Sequence, residues 1–87
     1  MKIKQGYILS EIAGSYHVVA VGNAVKEFKG IINLNKTGVF LFEKLIKGAT
    51  EEELISALTT EYEVDEQTAR NDVLKFTKGL TEANLVE

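Results

Sequence analysis

The sequence predicts an α+β domain, a three-stranded antiparallel sheet followed by three helices, and three observations carry that expectation. Residues 7–34 contain short β-branched and aromatic segments separated by turn residues, and from Asn35 onward the apolar period lengthens from two to that of a helix. Two capping signals, Thr50-Glu51-Glu52-Glu53 and Val64-Asp65, restart the helical pattern twice. A chain of 87 residues, 45% hydrophobic and 26% charged, is enough for one core and no second one, so residues 1–87 form a single domain.

In the first third, Tyr7, Leu9 and Glu11 alternate with Ile8, Ser10 and Ile12, the period of a strand with two distinct faces. Ala13-Gly14-Ser15 supplies a hairpin turn, and Tyr16 to Val21 is the second strand. Ile31-Ile32-Asn33-Leu34 is the third. The linker between them, Gly22 to Gly30, is longer than a hairpin loop. It has room for a turn of helix around Ala24–Phe28, anchored by Phe28.

Asn35 is placed to cap the first helix, whose apolar residues are Val39, Phe40, Leu41, Phe42, Leu45 and Ile46. Gly48 stops it. Thr50 and Glu53 then form a capping box for a second helix with the stripe Leu54, Ile55, Leu58 and Tyr62. Asp65 opens the third, where Ala69, Val73, Phe76 and Leu80 face the core and Val64 can staple onto Ala69. Asn84 can take the left-handed conformation that ends the helix, letting Leu85-Val86 fold back.

Composition removes several functions. The absence of cysteine excludes disulfides, thiolate metal sites and thiol redox work, and no cofactor is implied. His17, the single histidine, has no carboxylate or nucleophile near it in sequence, and Ser10, Ser15 and Ser56 have no recognisable base. Glu51, Glu52 and Glu53 do not share a helix face and so are not a metal site; they favour the positive end of the helix dipole. The expectation is a non-catalytic protein that works by binding. No apolar run is long enough to cross a bilayer and Met1-Lys2-Ile3-Lys4-Gln5-Gly6 lacks a signal-peptide centre, so a cytoplasmic protein without membrane contact is expected.

The net charge of −3 is unevenly distributed: residues 1–30 carry +2 and residues 31–87 carry −5. Residues 49–66 hold seven acidic side chains and no lysine or arginine. The second and third helices have the order of a helix-turn-helix, which makes a DNA-binding winged helix the rival reading. Its recognition helix would present Asp65, Glu66 and Gln67 to the duplex, and the phosphate term that dominates such binding has the wrong sign. No nucleic-acid partner is expected.

Taken together, Leu34-Asn35-Lys36-Thr37-Gly38 with the aromatic helix after it, Thr50-Glu51-Glu52-Glu53-Leu54, and Glu61-Tyr62-Glu63-Val64-Asp65 followed by Asp72-Val73, Phe76, Leu80 and Asn84-Leu85-Val86 resemble the PqqD-like proteins, the RiPP recognition elements. The resemblance runs from about Gly6 to Glu87. The chain departs from the family in Phe42, where Trp is frequent, and in Thr77, where Leu is frequent. The resemblance implies a winged-helix-like fold. It also implies that the chain binds the leader segment of a ribosomally made precursor peptide and presents it to a modifying enzyme, commonly a radical-SAM maturase. In such proteins the leader adds to the third strand and lies against the third helix.

The residues allow this. Ile31, Ile32, Asn33 and Leu34 carry no charge or proline, so that edge is either covered by the chain itself or open to pairing, whereas Lys2, Lys4 and Glu11 guard the first strand. On the third helix a second stripe, Arg70, Leu74, Thr77 and Thr81, with Lys75 and Lys78 beside it, offers a shallow groove with a basic rim or simply a solvated face. The expected peptide site is therefore Ile31, Ile32, Asn33, Leu34, Arg70, Val73, Leu74 and Thr77, with Val73 shared with the core. Asn35, Thr37 and Gly38 are assigned to the helix cap. A homodimer paired through the same edge is the remaining alternative.

Overall fold

The computed structural model describes residues 1–26 and 31–87. The elements are strands β1 (Tyr7–Ile12), β2 (Ser15–Ala20) and β3 (Ile32–Leu34), then helices α1 (Lys36–Lys47), α2 (Glu51–Glu61) and α3 (Glu66–Glu82). This is the expected α+β order. Between β2 and β3 a short 3₁₀ turn covers Gly22–Lys26 and buries Ala24. The proposed anchor Phe28 lies outside the described residues.

The sheet is antiparallel in the order β1-β2-β3. Ile12 pairs with Ser15, so Ala13 and Gly14 form a two-residue loop, both at positive φ (52° and 81°), the backbone that matches strand twist. The register sets one face inward: Tyr7 and Leu9 lie with Val18, Ala20, Ile32 and Leu34 against the helices. The outer face carries Ile8 and Ile12, both exposed, and a His17–Asn33 side-chain hydrogen bond of 2.6 Å across β2 and β3.

The caps form as the sequence implies. The Gly38 N–H donates to Asn35 Oδ1 at 2.8 Å, Thr50 and Glu53 make a reciprocal capping box, and the Thr68 N–H donates to Asp65 Oδ1 at 2.7 Å. Gly48 (φ 99°) and Asn84 (φ 63°) end α1 and α3. The core gathers Leu41, Phe42 and Leu45 from α1, Leu54 and Leu58 from α2, and Ala69, Val73 and Leu80 from α3. Phe42 is fully buried, so the aromatic packing expected of a larger indole at that position is kept.

One expectation about the sheet is corrected. Lys2 and Lys4 do not lie along β1; Ile3 instead bridges Val86, with the Lys4 N–H donating to the Leu85 carbonyl and the Glu87 N–H to the Lys2 carbonyl, both at 2.9 Å. The Ile3 N–H donates in turn to Leu45 at 3.0 Å. The two termini thus clasp each other on top of α1 and satisfy one another's backbone, with Ile3 and Leu85 buried beneath. Of the charges assigned to that edge, only Glu11 belongs to β1. Among the described residues no helix is long and apolar enough to cross a membrane.

Candidate functional site: a groove between the edge strand and the third helix

Among the described residues β3 pairs only with β2, which leaves its other side at the rim of the sheet. That side borders a groove of about 520 Å³, within the size range of ligand clefts. Ile32, Asn33 and Leu34 form one wall, and Leu41 and Leu80 the apolar floor. Asn35, Thr37 and Gly38 close one end, at the start of α1. The opposite wall is α3, through Asp72, Lys75, Phe76, Gly79 and Ala83.

Local packing explains why the groove stays open near α1. A Cβ at Gly38 would stand 3.2 Å from Leu34 Cδ2 and 3.3 Å from Asn35 Oδ1, so the glycine lets α1 start directly beneath β3. The groove is mostly apolar, with one carboxylate (Asp72) and one ammonium (Lys75) on its α3 side. Neither makes an ion pair among the described residues. An apolar trough beside an unpaired strand edge suits an extended peptide: the edge supplies backbone hydrogen bonds and the trough takes alternate side chains.

The structure brings together part of the expected set. Ile32, Asn33 and Leu34 line the groove; Ile31 stands just before β3 and is 63% exposed. On α3 the geometry differs from the sequence reading. Val73 is wholly buried, and Thr77 is buried too, its hydroxyl donating to the Leu74 carbonyl at 3.3 Å. Arg70 is engaged by Glu52 on α2 at 2.9 Å and by Glu66 at 3.2 Å. Those carboxylates hold its guanidinium pKa above the ordinary value, chiefly through the Glu52 hydrogen bond. Leu74 is exposed and does not line the groove.

The physical reason is helical geometry. At about 100° per residue, the buried stripe Ala69, Val73, Thr77 and Leu80 has two flanks. Arg70, Leu74 and Thr81 lie on the flank that Arg70 ties to α2, whereas Asp72, Phe76, Gly79 and Ala83 lie on the flank facing β3. Periodicity finds the stripe but does not say which flank meets the sheet. Phe76, expected in the core, is half-buried: it packs against the core and also walls the groove. Gly79 stands out in the sequence only by its place inside a helix, where alanine would be favoured.

The sequence matches the family model described as coenzyme PQQ synthesis protein D (PqqD) over residues 24–86. A search of curated protein sequences finds no match. Two solved structures share the fold. One, described as TbiB1 in complex with the TbiA(beta) leader peptide, has a TM-score of 0.78 at 24% identity, over 100% of this chain and 95% of that one. The other, described as lasso peptide synthetase B1 complexed with the leader peptide, has a TM-score of 0.74 at 19% identity, over 97% and 93%. With the family match covering α1, α2, α3 and β3, the chain belongs to the PqqD family.

Proposed function

We propose that the chain binds the leader segment of a ribosomally synthesised precursor peptide as a fourth strand beside β3 and delivers it to a modifying enzyme without itself catalysing the reaction. The observation that carries the reading is the edge of β3, paired on one side among the described residues and facing an apolar groove on the other. Family membership supports it, as do two proteins of the same fold described as bound to leader peptides. The resemblance to PqqD-like proteins points to a radical-SAM maturase as the receiving enzyme. Ile32, Asn33 and Leu34 would supply the pairing edge, and Asp72, Lys75, Phe76, Gly79 and Ala83 the opposing wall.

The electrostatics favour this over duplex binding. The start of α3 presents Asp65 and Glu66, and its nearest cation, Arg70, is already engaged by two carboxylates.

The test is selection of binders from a displayed library of random 20-residue peptides, followed by N-methylation of the selected peptide one residue at a time. Strand addition predicts loss of affinity at alternate positions, because every second backbone N–H of the added strand points at β3. Failure to select any peptide, or insensitivity to N-methylation, contradicts it. Sedimentation at several concentrations examines the competing use of the edge: a stable dimer that excludes the selected peptide would assign β3 to self-association.

A further inference from the structure

We infer that Gly79 sets how closely the bound segment approaches α3, and that its missing side chain serves the ligand rather than the fold; the inference rests on the groove being the peptide site. Gly79 lies inside α3, where glycine is the least favourable residue after proline. Such a glycine normally answers either to a backbone conformation or to a crowded neighbour. Neither applies here. Its backbone is helical, and a Cβ built on it meets no atom within 4 Å beyond its chain neighbours and the backbone of its own helix.

The contrast with two other glycines is direct. Gly6 has φ +97° and a Cβ there would lie 2.6 Å from the Ala24 Cβ, so the domain's own atoms require glycine, and a Cβ at Gly38 would crowd Leu34 Cδ2 at 3.2 Å. At Gly79 the domain leaves the space empty, and that space is the groove. Phe76 and Ala83, one turn to either side, share the flank, so Gly79 forms a notch bounded by an aromatic ring at one end and a methyl group at the other. A peptide strand paired to β3 lies about 4.8 Å beyond it, and its side chains on the inner face point toward this wall. The residue opposite Gly79 therefore occupies the volume a side chain at position 79 would fill. On this account position 79 determines the size of the residue the leader can carry there.

Two variants separate ligand from fold. Gly79→Ala, measured without any peptide, should raise the melting temperature by about 4 °C, since helix propensity improves and nothing is crowded. Gly79→Leu should remain folded by circular dichroism and bind the peptides selected on the unaltered chain at least about tenfold more weakly. Repeating the random-library selection on Gly79→Leu should return peptides with glycine or alanine at the affected position, where the unaltered chain returns larger residues. An unchanged or lower melting temperature for Gly79→Ala would show that the fold itself requires glycine, leaving the peptide site untouched. Undiminished binding by Gly79→Leu would show that the segment does not approach here. Selected peptides that bind the unaltered chain away from β3 would overturn both the site and the inference.

Discussion

The two flanks of α3 carry similar mixtures of polar and apolar residues, and the difference between them lies in what stands opposite. One flank, with Arg70, has the acidic first turn of α2 across from it, so Glu52 takes up its charge and leaves Leu74 as an isolated exposed residue. The other, with Asp72, Phe76, Gly79 and Ala83, has a strand edge across from it and a trough between. The groove on this helix is therefore a property of the pair of surfaces. A lone exposed leucine is ordinary; a half-buried phenylalanine beside an empty glycine, facing an edge strand, is a candidate site.

The strongest way to break this comparison is Phe76→Ala. It should weaken binding of a selected peptide by at least about tenfold, ~1.4 kcal/mol, in calorimetric titration, with the folded state verified by circular dichroism. Unchanged affinity would remove the α3 wall from the site.

Asp65→Ala probes the acidic start of the helix, which plays no part in the groove. Donation from the Thr68 N–H lowers the Asp65 pKa below its ordinary value. A lowered folded-state pKa contributes stability that is complete above the unfolded value and is lost as pH falls through the folded one. The variant should therefore have a lower urea midpoint than the parent at neutral pH, a gap that narrows in acid, with peptide affinity unaltered at neutral pH. A pH-independent gap would rule out the ionised cap.

Smaller still is Arg70→Ala. Its ion pairs are solvent-exposed, so the loss in melting temperature should be slight and should vanish in high salt, again without effect on peptide affinity. Leu74→Ala should change affinity by less than about twofold. A tenfold loss at Leu74 or Arg70 would move the site to the Arg70 flank and contradict the assignment to the flank facing β3.

Legibility in the sequence followed the range of the interactions involved. The two-residue turn at Ala13-Gly14, the caps at Asn35, Thr50 and Asp65, and the helix stop at Asn84 rest on bonds within a few residues, and each was readable from local chemistry. The buried stripe of α3 was readable from its period at Ala69, Val73 and Leu80, whereas Thr77, assigned to the neighbouring stripe, is buried with its hydroxyl bonded to the Leu74 carbonyl, and Phe76 is only half-buried. The misreading of Lys2 and Lys4 arose because the partner of Ile3 is Val86, at the far end of the chain. The β3 half of the candidate site was visible as an uncharged, unguarded segment. The α3 half was not, because choosing between two flanks needs the position of the sheet, which no pattern within the helix encodes.

The most direct measurement of the central claim is an amide chemical-shift titration of the labelled protein with a selected peptide, with a short DNA duplex as control. The account predicts perturbations concentrated at residues 31–35 and at Asp72, Lys75, Phe76, Gly79 and Ala83, with slowed amide exchange in Ile32–Leu34 and no response to the duplex. Perturbations confined to β1, to the Arg70–Leu74 flank, or to the start of α3 with DNA would contradict it.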